Sequence, residues 1–191
     1  MKLRILAATV CVLALCSVST SFAVPAQTLG INAGLAMPMG DLGDAVGMGF
    51  FGGATYTYKL NQQFGVGGDV NYTTFGKKND VDFKFHMLQF GAHGKYYFPM
   101  KDGKMAPYAK VGLGMYNVSE TLPGVDILGV TYGGGTYSAS KMGFSLGAGT
   151  TMKLNDKASW GLEAMYHMVS TEGSSSTFLT FAASYNFALG K

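Results

Sequence analysis

Three histidines, His86, His93 and His167, are the side chains of this chain best suited to moving a proton near neutral pH. His167 stands a few residues before Ser170 and Ser174, so a hydroxyl nucleophile with an imidazole base can be spelled there. A histidine on an interior face is more often a hydrogen-bonded structural residue than a catalyst. A metal centre needs three or four converging ligands, and neither the histidines nor the acids have that spacing. Gly47-Met-Gly-Phe-Phe-Gly52 matches the G-x-G-x-x-G spelling of a dinucleotide loop. That loop must open a helix, whereas Ala54-Thr-Tyr-Thr-Tyr58 alternates like a strand. Gly133-Gly-Gly135 lacks the Lys-Ser/Thr of a phosphate loop and reads as a loop tip. No catalytic residue, cofactor or metal is expected, and the chain is not read as an enzyme.

The charged side chains are more informative once the elements that carry them are located. At the N-terminus, Lys2 and Arg4 precede an apolar run from Ile5 to Leu15, followed by small and polar residues to Ala26. This is the layout of a secretory signal peptide, and the run is too short for a membrane helix. Cleavage is expected after Ala26, with Ala23 as an alternative, leaving residues 27–191 as one domain. A lipid-modified Cys16 would need a small residue before it, where Leu15 stands. Cleavage removes both cysteines, Cys11 and Cys16, and the one arginine, so thiol chemistry is absent from the remainder. Lysines and acids then nearly balance, which disfavours nucleic acid as a partner.

Beyond Ala26 no stretch is apolar for long enough to form a membrane helix, yet charged residues make up just 13% of the chain. Soluble domains carry about 25%. Segments of about ten residues alternate apolar with small or polar side chains, the pattern of strands with two unlike faces. Leu29, Ile31, Ala33, Leu35 and Met37 oppose Gly30, Asn32, Gly34 and Ala36 in the first. Seven more follow, ending with Leu179, Phe181, Ala183, Tyr185 and Phe187. The fourth, from Phe83 to Phe98, changes phase near Met87-Leu88, where a β-bulge is expected.

Connections after the second, fourth and sixth strands are short: Asn61 to Gln63, Pro99 to Met105, Asn155 to Lys157. Those after the odd strands are longer or richer in Gly and Ser: Met39 to Gly47, Gly76 to Asp82, Ser119 to Thr136, Ser170 to Ser175. Eight strands with short turns on one side and long loops on the other predict a closed antiparallel up-and-down transmembrane β-barrel. Its polar face is mostly Gly, Ser, Thr and Asn, which suits a narrow interior better than a watery surface. Tyr56, Tyr58, Phe64, Tyr96, Phe98, Trp160, Tyr185 and Phe187 cluster toward the turn side, where an aromatic girdle meets lipid headgroups.

This arrangement sends Lys59, Asp69, Lys95, Lys110, Lys141, Glu163 and His167 into the lumen. A confined carboxylate is costly unless paired, so Asp69 and Glu163 are each expected to find a lysine. The charges then either plug and stiffen the barrel or line a narrow pore whose excess of lysine favours anions. Glycines 112, 114, 143, 147 and 149 leave a water path or make room for inward Tyr97, Tyr116 and Phe178.

Three segments carry a resemblance: Gly34-Leu-Ala-Met-Pro-Met-Gly-Asp-Leu-Gly-Asp, Pro107-Tyr-Ala-Lys-Val-Gly-Leu-Gly-Met-Tyr-Asn, and Tyr185-Asn-Phe. They resemble the small outer-membrane β-barrel superfamily of OmpA-like, OmpX-like, OmpW-like and opacity-type proteins. The resemblance implies a bacterial outer-membrane location, a lipid-embedded monomer and recognition of Tyr185 and Phe187 by the barrel-assembly machinery. That signal usually ends the chain, whereas Ala188 to Lys191 follow here. No peptidoglycan-binding domain is expected after the barrel. For function it implies a structural or surface-interaction barrel whose loops meet a host or surface ligand. The alternative is a narrow pore or conduit for small hydrophobic molecules, as in OmpW-like proteins.

Overall fold

A computed structural model describes residues 27–78, 84–100, 104–122, 125–127, 130–132, 134–171 and 174–189. The signal-peptide reading, both cysteines and Gly133 lie outside the described residues. Ten strands and one short helix form: β1 (Gln27–Met39), α1 (Gly40–Ala45), β2 (Gly47–Lys59), β3 (Phe64–Gly76), β4 (Lys84–Tyr97), β5 (Met105–Leu122), β6 (Val125–Ile127), β7 (Val130–Tyr132), β8 (Gly135–Lys153), β9 (Ala158–Thr171) and β10 (Ser174–Leu189). Eight of these close a barrel in the order β1-β10-β9-β8-β5-β4-β3-β2, all neighbours antiparallel, while β6 and β7 pair as a separate hairpin. The expected closed eight-stranded, up-and-down barrel is what the chain forms.

Period-two alternation explains the two faces. Outward positions hold exposed apolar side chains such as Phe50 and Leu113, both 67% exposed, and Ile31. Inward positions are buried and largely polar, among them Thr57, Asp69, His93 and Lys110. The first strand shows the rule cleanly: Gly30 and Ala36 are buried, and Leu29, Ile31 and Leu35 are exposed. The turn between β2 and β3 is fixed by Asn61, whose side-chain oxygen accepts from the backbone N–H groups of Gln63 and Phe64.

Three local features differ from expectation. No phase change occurs in β4: its pairing with β3 and β5 is unbroken from Phe85 to Tyr97, and a register shift lies instead between Gly47 and Gly49 of β2. Phe85 and Met87 are apolar but point inward, which imitates a slip in the sequence pattern. They belong to an apolar cluster with Phe75, Phe178, Tyr116 and Val169 that fills the lumen at the loop end. Within the segment Met39 to Gly47 the chain forms α1, entered through Gly40 at φ +57° and folded so that Leu42 and Val46 join the same cluster. The segment Gly47 to Gly52 is strand, which removes any helix-opening role for its glycines. Finally, β5 and β8 stay paired out to Leu122 and Gly135, so much of the expected loop Ser119 to Thr136 is a protruding ribbon.

Candidate functional site

Lys110 lies at the middle of the lumen. From β5, its ammonium reaches Asp69 Oδ1 on β3 at 3.0 Å and Glu163 Oε1 on β9 at 3.2 Å. Each carboxylate thus finds a lysine, as expected, and one lysine serves both. Their remaining oxygens are also occupied. His93 Nδ1 donates to Asp69 Oδ2 at 2.8 Å, Thr55 donates its hydroxyl to Asp69 Oδ1 at 2.8 Å, and Tyr108 donates to Glu163 Oε2 at 2.8 Å. Asn32 in turn donates to Thr55 at 3.1 Å. Taking ions out of water is repaid only where paired charges and further hydrogen bonds of this kind surround them.

His93 Nε2 faces Thr57 Oγ1 at 3.1 Å, which completes a hydroxyl–imidazole–carboxylate series, Thr57–His93–Asp69. The order of groups matches that of a nucleophilic triad. Thr57 is 2% exposed, and two lumen cavities beside the network, among the described residues, are about 20 Å³ each. Such a space holds a water or two. The series has no room for a substrate and ties β2, β3 and β4 together across the interior.

His167 makes a second set nearer the loop end. Its ring nitrogens face the Tyr116 hydroxyl at 2.9 Å and Thr180 Oγ1 at 3.1 Å, and its ring stacks on Phe178 with centroids 4.5 Å apart. At the turn end, Lys59 rests 4.6 Å from the centre of the Tyr97 ring and Lys95 rests 4.7 Å from that of Tyr108. Lys141, opposite Tyr116 in the β5–β8 pairing, lies on the wall of a cavity of about 360 Å³ at the loop end, with Leu42, Val46, Phe85 and Glu120. His86 faces outward and stacks on Tyr72. Among the described residues, no group of three His, Cys, Asp or Glu side chains is placed to hold a metal.

Two of the inward glycines, Gly143 and Gly149, are sockets for aromatic rings. A Cβ at Gly149 would lie 2.5 Å from the Tyr108 hydroxyl, and one at Gly143 would lie 2.6 Å from the Tyr116 ring. The space those residues release is filled by the tyrosines rather than left as a path. Sequence patterning placed His93 on the inward face but did not join it to Asp69, because that contact depends on the β3–β4 register. Thr55, Thr57 and Tyr108 were missed for the same reason.

The eight turn-side aromatics face outward. Phe64 packs on Tyr96 at 5.2 Å, Tyr96 on Phe98 at 5.1 Å, and Tyr185 on Phe187 at 4.9 Å. Trp160 pairs with Tyr185 across the sheet, while Tyr56 and Tyr58 lie at the same end on β2. Strand β10 continues past Phe187 to Leu189, which pairs with Gln27.

A sheet closed on itself, apolar outside and polar within, satisfies its backbone without water and defines an integral membrane β-barrel. The chain belongs to the family of the outer membrane protein beta-barrel domain, whose model matches residues 8–187. Its outer face is accordingly embedded in the lipid of a bacterial outer membrane. No curated protein matches the chain by sequence. Among solved structures, the chain is similar in fold to Neisserial surface protein A, with 16% identity and TM-score 0.66 over 86% of this chain and 97% of that one. It is also similar to OprG of Pseudomonas aeruginosa, with 13% identity and TM-score 0.54 over 87% and 100% of the two chains. The attachment invasion locus protein Ail of Yersinia pestis follows at 17% identity and TM-score 0.52 over 84% and 97%.

Proposed function

We propose that the protein is a plugged outer-membrane barrel with a structural or surface-interaction role, acting through its extracellular end. The short turns then face the periplasm and the β5–β8 ribbon, α1 and the β6–β7 hairpin face outside. The observation that carries this reading is the layered closure of the lumen. The tyrosine–lysine stacks, the Lys110 network and the apolar cluster around Phe178 succeed one another, and the enclosed cavities between them are about 20 Å³ each.

The working surface is then the ribbon and the cavity of about 360 Å³ at its base. The resemblance to Ail gives this reading a precedent of partner binding, since Ail has been solved in complex with the heparin analogue sucrose octasulfate. Around the corresponding end of this chain, Asp41, Asp44 and Glu120 are interspersed with Lys78 and Lys141. That mixture suits a protein or mixed-charge surface better than a polysulfate.

Export with removal of residues 1–26, a monomeric barrel from residue 27 to 191, a periplasmic girdle of the eight aromatics, and Tyr185 with Phe187 as the assembly signal complete the proposal. A conduit through the wall is disfavoured by the ladder between β9 and β10, which is continuous from Thr171 paired with Ser174 to Ala158 paired with Phe187. Proteoliposome swelling tests the reading against a solute pore. The plugged barrel gives no swelling in arabinose above that of empty vesicles. Swelling proportional to protein content would establish the pore.

A further inference from the structure

Two lysines in the turn-side half of the lumen have no carboxylate partner among the described residues. Lys95 is 9% exposed, and its ammonium lies against the Tyr108 ring. Lys59 lies against the Tyr97 ring, and the two rings are 5.6 Å apart. Both nearby acids are engaged elsewhere: Asp69 and Glu163 bind Lys110. Ring faces attract an ammonium but do not neutralise it. Lys59, Lys95 and Lys110 outnumber Asp69 and Glu163, so this part of the lumen keeps a net positive charge in a confined space, where fields are least screened.

That charge faces an opening. A cavity of about 360 Å³ forms the turn-side mouth, with Lys59, Lys104 and Lys153 on its wall and Asp156 as the acid among its lining residues. Asp156 is taken by Lys153 at 2.7 Å and points into solvent, 94% exposed, and that hydrogen-bonded lysine holds its carboxyl below the usual carboxylate range. Thr151 and Asn186 line both this mouth and the enclosed cavity on which Lys95 stands, so Lys95 lies directly behind the opening.

We infer that the periplasmic mouth of the barrel is an oxyanion site for a phosphate-type group, held by Lys59 and Lys104 with Lys95 behind them. Lysine offers a compact point charge, whereas a single carboxylate is matched best by the planar fork of arginine. Several such points around one cavity suit a multiply charged, tetrahedral anion. The cavity exceeds a bare phosphate, so it admits a soluble phosphate ester or the headgroup of an inner-leaflet phospholipid. The two sources share the same chemistry at the lysines.

The test uses protein refolded in an uncharged maltoside detergent free of phosphate, with folding of each variant checked by its gel migration before and after boiling. Inorganic pyrophosphate is titrated at constant ionic strength, and the ring resonances of Tyr97 and Tyr108 are followed by NMR. In a second arm the micelles are doped with phosphatidylglycerol, with diacylglycerol as the uncharged control. A saturable shift with pyrophosphate, weakened at least tenfold by Lys59→Gln, identifies a soluble phosphate. Saturation with phosphatidylglycerol alone, equally sensitive to Lys59→Gln, identifies the headgroup. The inference is overturned if neither probe saturates, or if saturation is unchanged in both Lys59→Gln and Lys104→Gln, which lie at the open mouth.

Discussion

The ammonium of Lys110 lies 3.0 Å from the carboxylate of Asp69, although the two residues stand on strands separated by β4. The same ammonium holds Glu163 on β9, beyond β8 on the other side. A single buried cation thus clamps three non-adjacent staves of the barrel from within.

Removing that cation takes from two lumen carboxylates the one ammonium that pairs with both. Lys110→Met should destabilise the barrel by about 3–5 kcal/mol, the usual cost of breaking a buried ion pair from one side. Neutralising the acids as well, in Lys110→Met/Asp69→Asn/Glu163→Gln, should recover most of the loss. Urea unfolding followed by Trp160 fluorescence measures both, and a single variant as stable as wild type would remove the clamp from the account.

Gly149 predicts a steric effect of opposite kind. Its missing side chain makes room for the Tyr108 hydroxyl, and the Leu162 carbonyl lies 2.6 Å from where a Cβ would be. Gly149→Ala should therefore cost about 1–3 kcal/mol by overpacking. Pairing it with Tyr108→Phe removes the hydroxyl but leaves the ring Cζ and the Leu162 carbonyl, both 2.6 Å from the added Cβ, and deletes the bond to Glu163, so the double variant should be no more stable than Gly149→Ala. Full tolerance of Gly149→Ala would show that this wall has slack.

Much of this interior was legible in the alternation of the sequence, and the missing parts have identifiable causes. Lys59, Asp69, Lys95, Lys110, Glu163 and His167 were all assigned inward because charged side chains at period two stand out against an apolar face. Phe85 and Met87 were misread because an inward apolar residue looks the same as a shift of phase. What distinguishes them is contact with Phe75 and Phe178 from other strands. Helix α1 spans six residues, too few for a helical period to register. The pairing of His93 with Asp69 needs the register of β3 against β4, and no turn motif in the segment Gly76 to Asp82 specifies it.

Trp160 is the one tryptophan of the chain and reports the membrane level of the turn end. It faces outward, 36% exposed, beside Tyr185. In phosphatidylcholine brominated along its acyl chains, bromines near the headgroups should quench Trp160 more strongly than bromines near the bilayer centre. The reverse order would move the turn-side aromatics out of the interface and undo the girdle.

Stacking of His167 on Phe178, with centroids 4.5 Å apart, lies between the Lys110 network and the loop-end cluster. Phe178→Ala removes that ring from the plug and should cost about 3–5 kcal/mol, since a large buried aromatic leaves a cavity. Thermal unfolding in detergent checks the loss. A variant with an unchanged midpoint would mean that the plug contributes closure without stability.

Ions are the smallest probes of a closed lumen. Single-channel recording of the refolded protein in a planar bilayer, after its gel shift on boiling confirms folding, tests that closure. The closed barrel predicts a silent bilayer at ordinary voltages. Reproducible conductance steps that change in Lys110→Ala or Glu163→Ala would contradict it and make the lumen a pore.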